Sequence, residues 1–306
     1  MKERIITGTI LLSILVPIFL IDFLFPLFLG IIVLLTSVGT YEFLRMYRKE
    51  KAIGKAQMIF TIILSVIALV IETVAFANVM MLEEYKITFF QYDFGFVFLL
   101  IIITVYSLMV FVPDFDGRDA GRSFLAILFI GLGMASITTL RMMGVRFIIY
   151  LFLITIMTDM FAYFFGVKFG KHKMAPHISP KKSWEGAIAG TIFGTLFGSL
   201  FGIFYGIFPE IVNKHGHQTL LESFSSIGTE SLWLQAVLII IISLIASIMG
   251  QIGDLVASKF KRTYDIKDFG TIFPGHGGVV DRFDSAMFVG MFLVFVFRIV
   301  FLIFPV

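Results

Sequence analysis

Long uncharged apolar runs leave this chain one kind of environment in which to fold. Nine can be counted, at 5–21, 23–44, 57–77, 94–112, 123–140, 147–166, 186–208, 231–256 and 285–304. A helix needs about 20 apolar residues to cross about 30 Å of hydrocarbon. Of the 306 residues, 58% are hydrophobic, above the roughly half expected of a soluble domain. No polar stretch is long enough to build such a domain. Backbone groups in lipid must be bonded within their own segment, so runs of this length predict helices. The expected fold is all-α, a polytopic integral membrane protein of about nine transmembrane helices. About five spans fall in 1–145 and about four in 146–306. Lys2 and Arg4 precede the first run and no small-x-small cleavage site follows, so it reads as an uncleaved helix.

The basic residues orient the spans. With the N-terminus cytoplasmic and the C-terminus outside, all of the 24 Lys and Arg fall in inside connections except Lys86, Arg141, Arg146, Lys214 and Arg298. The positive-inside rule selects that orientation. There are no cysteines, which excludes disulfides, thiolate nucleophiles and cysteine metal sites.

Within the spans, Glu42, Glu72, Asp159 and Arg298 interrupt the apolar pattern. Charge in lipid is costly and faces a cavity or a partner. Glu42 and Arg298 are expected to reach an interface, and Glu72 to be structural. Asp159, with Tyr163 one turn later, is balanced between a site role and a structural hydrogen bond. Gly186, Gly190, Gly194, Gly198, Gly202 and Gly206 recur at every fourth position of the seventh run. Small residues at that spacing let membrane helices approach closely. Packing is the favoured reading of this face, and room for a lipid tail the lesser one.

Three inside connections carry the polar chemistry. Asp114 to Arg122 opens with Asp116-Gly117-x-x-Ala120, which resembles the CDP-alcohol phosphotransferases. That reading fails because 123–140 contains no Asp, and a solvated loop is expected instead. The second connection holds Lys171, Lys173 and Ser179-Pro180-Lys181-Lys182-Ser183-Trp184-Glu185-Gly186. It lacks the Walker A spacing. Its hydroxyls and ammoniums nevertheless precede a helix start, whose free N–H groups and positive dipole end favour an anion. The third runs from Asp254 to Asp284, with five aspartates, Lys259, Lys261, Arg262 and Lys267, and the turn Pro274-Gly275-His276-Gly277-Gly278. Asp254 is expected to end one helix, and Asp281 and Asp284 to share a face at the start of the next. Hard cations such as Mg²⁺ take one or two carboxylates plus substrate phosphates. Acids for a metal and bases for a phosphate are therefore present together.

The string Ser258-x-Phe260-Lys261-Arg262, Lys267-Asp268-x-Gly270, Pro274-x-His276-Gly277-Gly278-x-x-Asp281-Arg282-x-Asp284 resembles the signature of the phosphatidate cytidylyltransferases, or CDP-diacylglycerol synthases. Asp159-x-x-Ala162-Tyr163 and Ser179 to Gly186 resemble the same family. The likeness covers 158–186 and 250–285 and reaches the first 150 residues only as a set of spans. It implies that CTP and phosphatidic acid are joined to give CDP-diacylglycerol and pyrophosphate, in phospholipid biosynthesis. It implies Asp254, Lys261, Arg262, Lys267, Asp281 and Arg282 as catalytic residues. Substrate would be held by Ser179, Lys182, Ser183, Ser258, Lys259, His276, Gly277 and Gly278. Metal would be held by Asp254, Asp281 and Asp284, taking Mg²⁺ and a second cation. A homodimer in the cell membrane, with its active site on the cytoplasmic side, is also implied. No nucleic-acid partner is expected. The alternatives are a CTP-dependent kinase of a polyprenol-type lipid alcohol and, more distantly, a transporter. A transporter would show repeats or broken helices, and none is evident here.

Overall fold

The computed structural model of the chain describes residues 16–79, 94–210, 212–273 and 277–305, together with Ser13 and Gly275. Eight of the nine predicted runs are helices, and the first, 5–21, lies largely outside the described residues. In chain order they are α1 (Phe25–Met46), α2 (Lys55–Val79), α3 (Phe94–Phe111), α4 (Gly117–Ala126), α5 (Leu132–Met143), α6 (Val145–Phe169), α7 (Trp184–Ile203), α8 (Leu232–Thr263) and α9 (Val280–Ile303). A π turn, Ile127–Gly131, joins α4 to α5 so that one predicted run spans both. Among the described residues seven helices are long and apolar enough to cross a membrane, and Phe98–Phe111 is a shorter apolar one. The only strands among them, β1 (Lys173–Ala175) and β2 (Ser179–Ser183), form an antiparallel hairpin between α6 and α7.

Two compact units emerge. One comprises residues 1–142 with 261–283, and the other 143–260 with 284–306. In the first, α1 starts after a tight turn at Asp22–Leu24 with Pro26 in its opening turn, where the missing N–H costs nothing. Asp22 takes the Arg141 guanidinium at 2.8 Å. The π turn brings Gly131 against the Ser65 backbone of α2, where a Cβ would lie 3.0 Å from the Ser65 carbonyl oxygen.

The Asp114–Arg122 stretch is not the solvated loop expected of it. Asp116 caps α4, accepting the Arg118 and Asp119 N–H groups, while Asp119 reciprocates to the Asp116 N–H. Such a capping box satisfies the free donors of a helix start. Asp119 is 1% exposed and pairs with Lys51 and Arg122, and Arg122 also reaches Glu50 at 2.7 Å. The N–H of Asp119 and then the Lys51 ammonium hold the Asp116 carboxyl below the ordinary carboxylate range. The charges are consumed by one another, which explains their presence without a ligand.

In the second unit the glycine stripe is a packing face, as its spacing predicts. A Cβ on Gly186 would lie 2.6 Å from the Ala162 carbonyl oxygen, and one on Gly190 would lie 2.7 Å from that of Thr158. Helices α6 and α7 therefore touch backbone to backbone. Hydroxyls tie α6 to α8: Thr158 to Ser247 at 2.6 Å and Tyr150 to Ser243 at 2.7 Å. The stripe is filled by neighbouring helices, so the lesser reading, room for a lipid tail on this face, does not hold. Gly190→Val should cost about 1–3 kcal/mol by overpacking and lower the midpoint of thermal unfolding in detergent. Gly30→Ala on α1, where a Cβ meets nothing within 4 Å, should leave that midpoint unchanged or slightly raised. Equal behaviour of the two variants would refute the packing role.

Candidate functional site

In the first unit the charged connection is built around Asp281. Helix α8 runs to Thr263, two and a half turns beyond Asp254, so Asp254 does not end the helix as the sequence suggests. Ser258 and Lys259 belong to that helix, and Lys261 and Arg262 form its last turn. Cations are favoured at this negative end of the helix dipole. Lys261 reaches Asp281 Oδ1 at 2.8 Å, their side chains 14% and 3% exposed. The other oxygen, Oδ2, accepts the Phe269 N–H at 2.8 Å and the Gly278 N–H at 3.0 Å. Asp281 lies in the first turn of α9, where an acid complements the positive dipole end.

Between these anchors the chain doubles back. Phe273 N–H donates to the Gly277 carbonyl at 3.0 Å, and Gly275 and Gly277 have φ of 74° and 81°, a region that favours glycine. A Cβ on Gly277 would also lie 2.9 Å from Asp281 Oδ2. Lys267 and Arg282 are exposed. Pro274 and His276 lie outside the described residues.

The second unit holds a cleft of about 500 Å³. Its walls include Asp159 from α6, Lys173, Lys181, Lys182 and Ser183 from the hairpin, and Gln251 and Asp254 from α8. The hairpin explains why the lysines gather, since its register pairs Lys173 with Ser183. Lys182 meets Asp254 Oδ2 at 2.6 Å, and Ser258 donates to Asp254 Oδ1 at 3.3 Å. Ser183 caps α7 by accepting the Gly186 N–H at 3.2 Å, so one donor expected to be free at that helix start is occupied. Ser179 opens β2, outside the cleft's lining. Asp284 is buried and its Oδ1 accepts the Ser285 N–H at 2.8 Å.

The cleft gathers residues that the sequence marks unequally. Asp159, balanced there between two roles, lies in the cleft wall, close enough to Asp254 for the two charges to interact. Lys173 and Lys181 belong to the connection whose ammoniums the sequence suggests for an anion, and both line the cleft. Gln251, unremarkable on an apolar helix, bridges to Thr191 at 2.8 Å and to the Ala187 carbonyl at 3.2 Å.

An apolar groove of about 330 Å³ adjoins the cleft, lined by Trp184, Ile188, Ile192, Ile248 and Ile252. Met174, Ala187 and Gln251 line both spaces. The groove lies on the side of α7 away from its glycine stripe. Among the described residues no three of His, Cys, Asp and Glu converge as a ready metal cluster. Asp254 and Asp281 each present one oxygen to a lysine ammonium, and Asp254 shares its cleft with Asp159. One or two carboxylates beside substrate phosphates are a common Mg²⁺ shell, so Asp159 and Asp254 in the second unit's cleft fit a hard cation that substrate helps to bind.

Several known proteins are similar to this chain in sequence. A relative from Staphylococcus saprophyticus, named phosphatidate cytidylyltransferase, is 37% identical over 175 residues. Relatives of the same name from Staphylococcus haemolyticus and Staphylococcus aureus are each 35% identical over 175 residues. Each match takes in 57% of this chain and 58% of the relative's length. The sequence model of the cytidylyltransferase family matches residues 2–300, nearly the whole chain, and the chain belongs to that family.

Proposed function

We propose that the chain is a phosphatidate cytidylyltransferase, joining CTP to phosphatidic acid to give CDP-diacylglycerol and pyrophosphate. The observation that carries this reading is a cleft walled by Asp159, Lys173, Lys181, Lys182 and Asp254 that shares Met174, Ala187 and Gln251 with an adjoining apolar groove. A phosphate at the end of an acyl chain needs both surfaces at once. Family membership and the names of the relatives supply the nucleotide and the lipid.

In this reading a phosphate oxygen of the lipid attacks the α-phosphorus of CTP, the new P–O bond forms, and the bond to the β-phosphate breaks with release of pyrophosphate. The nucleophile is already an anion, so no strong general base is required. Two anions must instead be brought together and the leaving group neutralised. Lys173, Lys181 and Lys182 provide positive charge in the cleft, and Lys261, Arg262, Lys267 and Arg282 provide it along the charged connection. Positioning and electrostatic stabilisation of this kind lower the barrier to transfer. Mg²⁺ would be held by Asp254, joined by Asp159 from the same cleft, and the resemblance adds Asp281 and Asp284 as candidate ligands. When bound, such a cation and a second one stabilise charge on the phosphates. The proposal includes a cytoplasmic active site, a cell-membrane location and a homodimer, the last resting on resemblance alone.

The lipid tail would lie in the groove between α7 and α8, on Ile188, Ile192 and Ile248. Purified protein given labelled CTP, phosphatidate and Mg²⁺ should form CDP-diacylglycerol and pyrophosphate, with EDTA abolishing turnover. Release of CDP in place of pyrophosphate would identify a kinase and defeat the proposal. Asp254→Asn and Asp281→Asn should each lower kcat by about 100-fold or more while the protein still inserts and folds. Normal turnover in either would remove that residue from the reaction. Ile192→Trp should raise the KM for long-chain phosphatidate by about tenfold, the effect of a lost apolar contact of a few methylenes, and leave the KM for CTP unchanged. A parallel rise in both would place the tail elsewhere.

A further inference from the structure

Glu42 lies inside a membrane span, one turn before the end of α1, and a carboxylate there requires a partner. It does not reach an interface, as the sequence suggests, because it is 4% exposed. Its Oε2 accepts the Val280 N–H at 3.2 Å, and the Val279 N–H also donates to the carboxylate. These donors belong to the start of α9, where N–H groups have no partner within the helix.

The rest of its surroundings is made of absent side chains. A Cβ on Gly270 or on Gly278 would land on the Glu42 carboxylate. Neither glycine has a positive φ, so neither is required by backbone conformation. Their lack of a side chain is explained by the carboxylate that fills the space. Phe43, the next residue of α1, stacks on Phe269 with ring centres 5.9 Å apart and planes at 20°. Gly39, one turn earlier, would bring a Cβ within 3.7 Å of both Val279 and Val280. One end of α1 therefore grips 269–270 and 278–280. Asp281 holds the same two backbone stretches through the Phe269 and Gly278 N–H groups, and keeps its other oxygen on Lys261.

We propose that Glu42 is a positioning residue for the charged connection: it fixes the glycine turn and the start of α9, and so sets the placement of Asp281 and Lys261. The role of those two residues in turnover rests on the function proposed above, but the positioning itself does not.

A double-mutant cycle tests it with two readouts. Backbone amide exchange should quicken by about tenfold or more across 269–281 in Glu42→Ala, with the other helices unchanged, and Glu42→Gln, which keeps an acceptor of the same length, should restore protection. Gly278→Ala should disrupt the connection when Glu42 is present and add little in the Glu42→Ala background, where the space is free. In the assay, Glu42→Ala should lower kcat/KM by about 100-fold and Glu42→Gln should recover most of it. An equal effect of Gly278→Ala in both backgrounds, or unchanged exchange in Glu42→Ala, would overturn the proposal. If wild-type protein makes no CDP-lipid while the exchange cycle behaves as described, the positioning stands and the functional reading fails.

Discussion

The contact on which the charged connection depends is the ion pair between Lys261 and Asp281, nearly closed to solvent. Two charges withdrawn from water lose hydration that their attraction repays only when the remaining hydrogen-bonding capacity is also met. Asp281 meets it with two backbone N–H groups drawn from either end of the turn. A pair of this kind is weak as a source of stability and strong as a constraint on geometry. Any conformation that opens the turn strands a carboxylate. Between α8 and α9 the backbone at Phe269 and at Gly278 is thereby held to one carboxylate despite the neighbouring glycines.

The second unit solves a different problem with small residues. Lipid offers no hydrophobic drive for helices to associate, so close packing and interhelical hydrogen bonds must supply it. Gly186 and Gly190 let α7 reach the backbone of α6, and the Thr158–Ser247 and Tyr150–Ser243 pairs join α6 to α8. This packing holds Asp159 and Asp254 in the wall of one cleft although they are 95 residues apart in the chain. Rigid helices, and not loops, carry the acids, while the β1–β2 hairpin carries the lysines.

Most of the spans are legible in sequence because length and lack of charge decide them locally. The glycine spacing is legible for the same reason: its period declares a face. What escapes is polar groups whose partners are remote. Glu42 is met by residues near 279, and nothing within α1 announces that. Asp119 and Arg122 look like a solvated loop because the Lys51 and Glu50 that neutralise them come from another connection. The sequence sets the end of α8 too early because charge in a membrane protein reads as the end of a span, whereas a helix can continue past the lipid as α8 does to Thr263. The charged connection itself stands out, but the reason for Gly270 and Gly278 does not, since a glycine's sequence does not distinguish a need for positive φ from a need for empty space.

That distinction bears on how substitutions in the connection should act. Gly275 and Gly277 answer to backbone conformation, so a side chain at either strains the turn whatever surrounds it. Gly270 and Gly278 answer to Glu42, so the cost of a side chain there depends on what stands at position 42. Glycines in one short motif thus do two physical jobs. The first pair makes the turn, and the second leaves room for the buried carboxylate that ties the turn to α1. A reaction between two anions needs its cations fixed before substrate arrives, because electrostatic stabilisation is effective when the charges need not reorganise. In the proposed reaction, anchoring the connection to α1 would supply that fixity where a solvated loop would not.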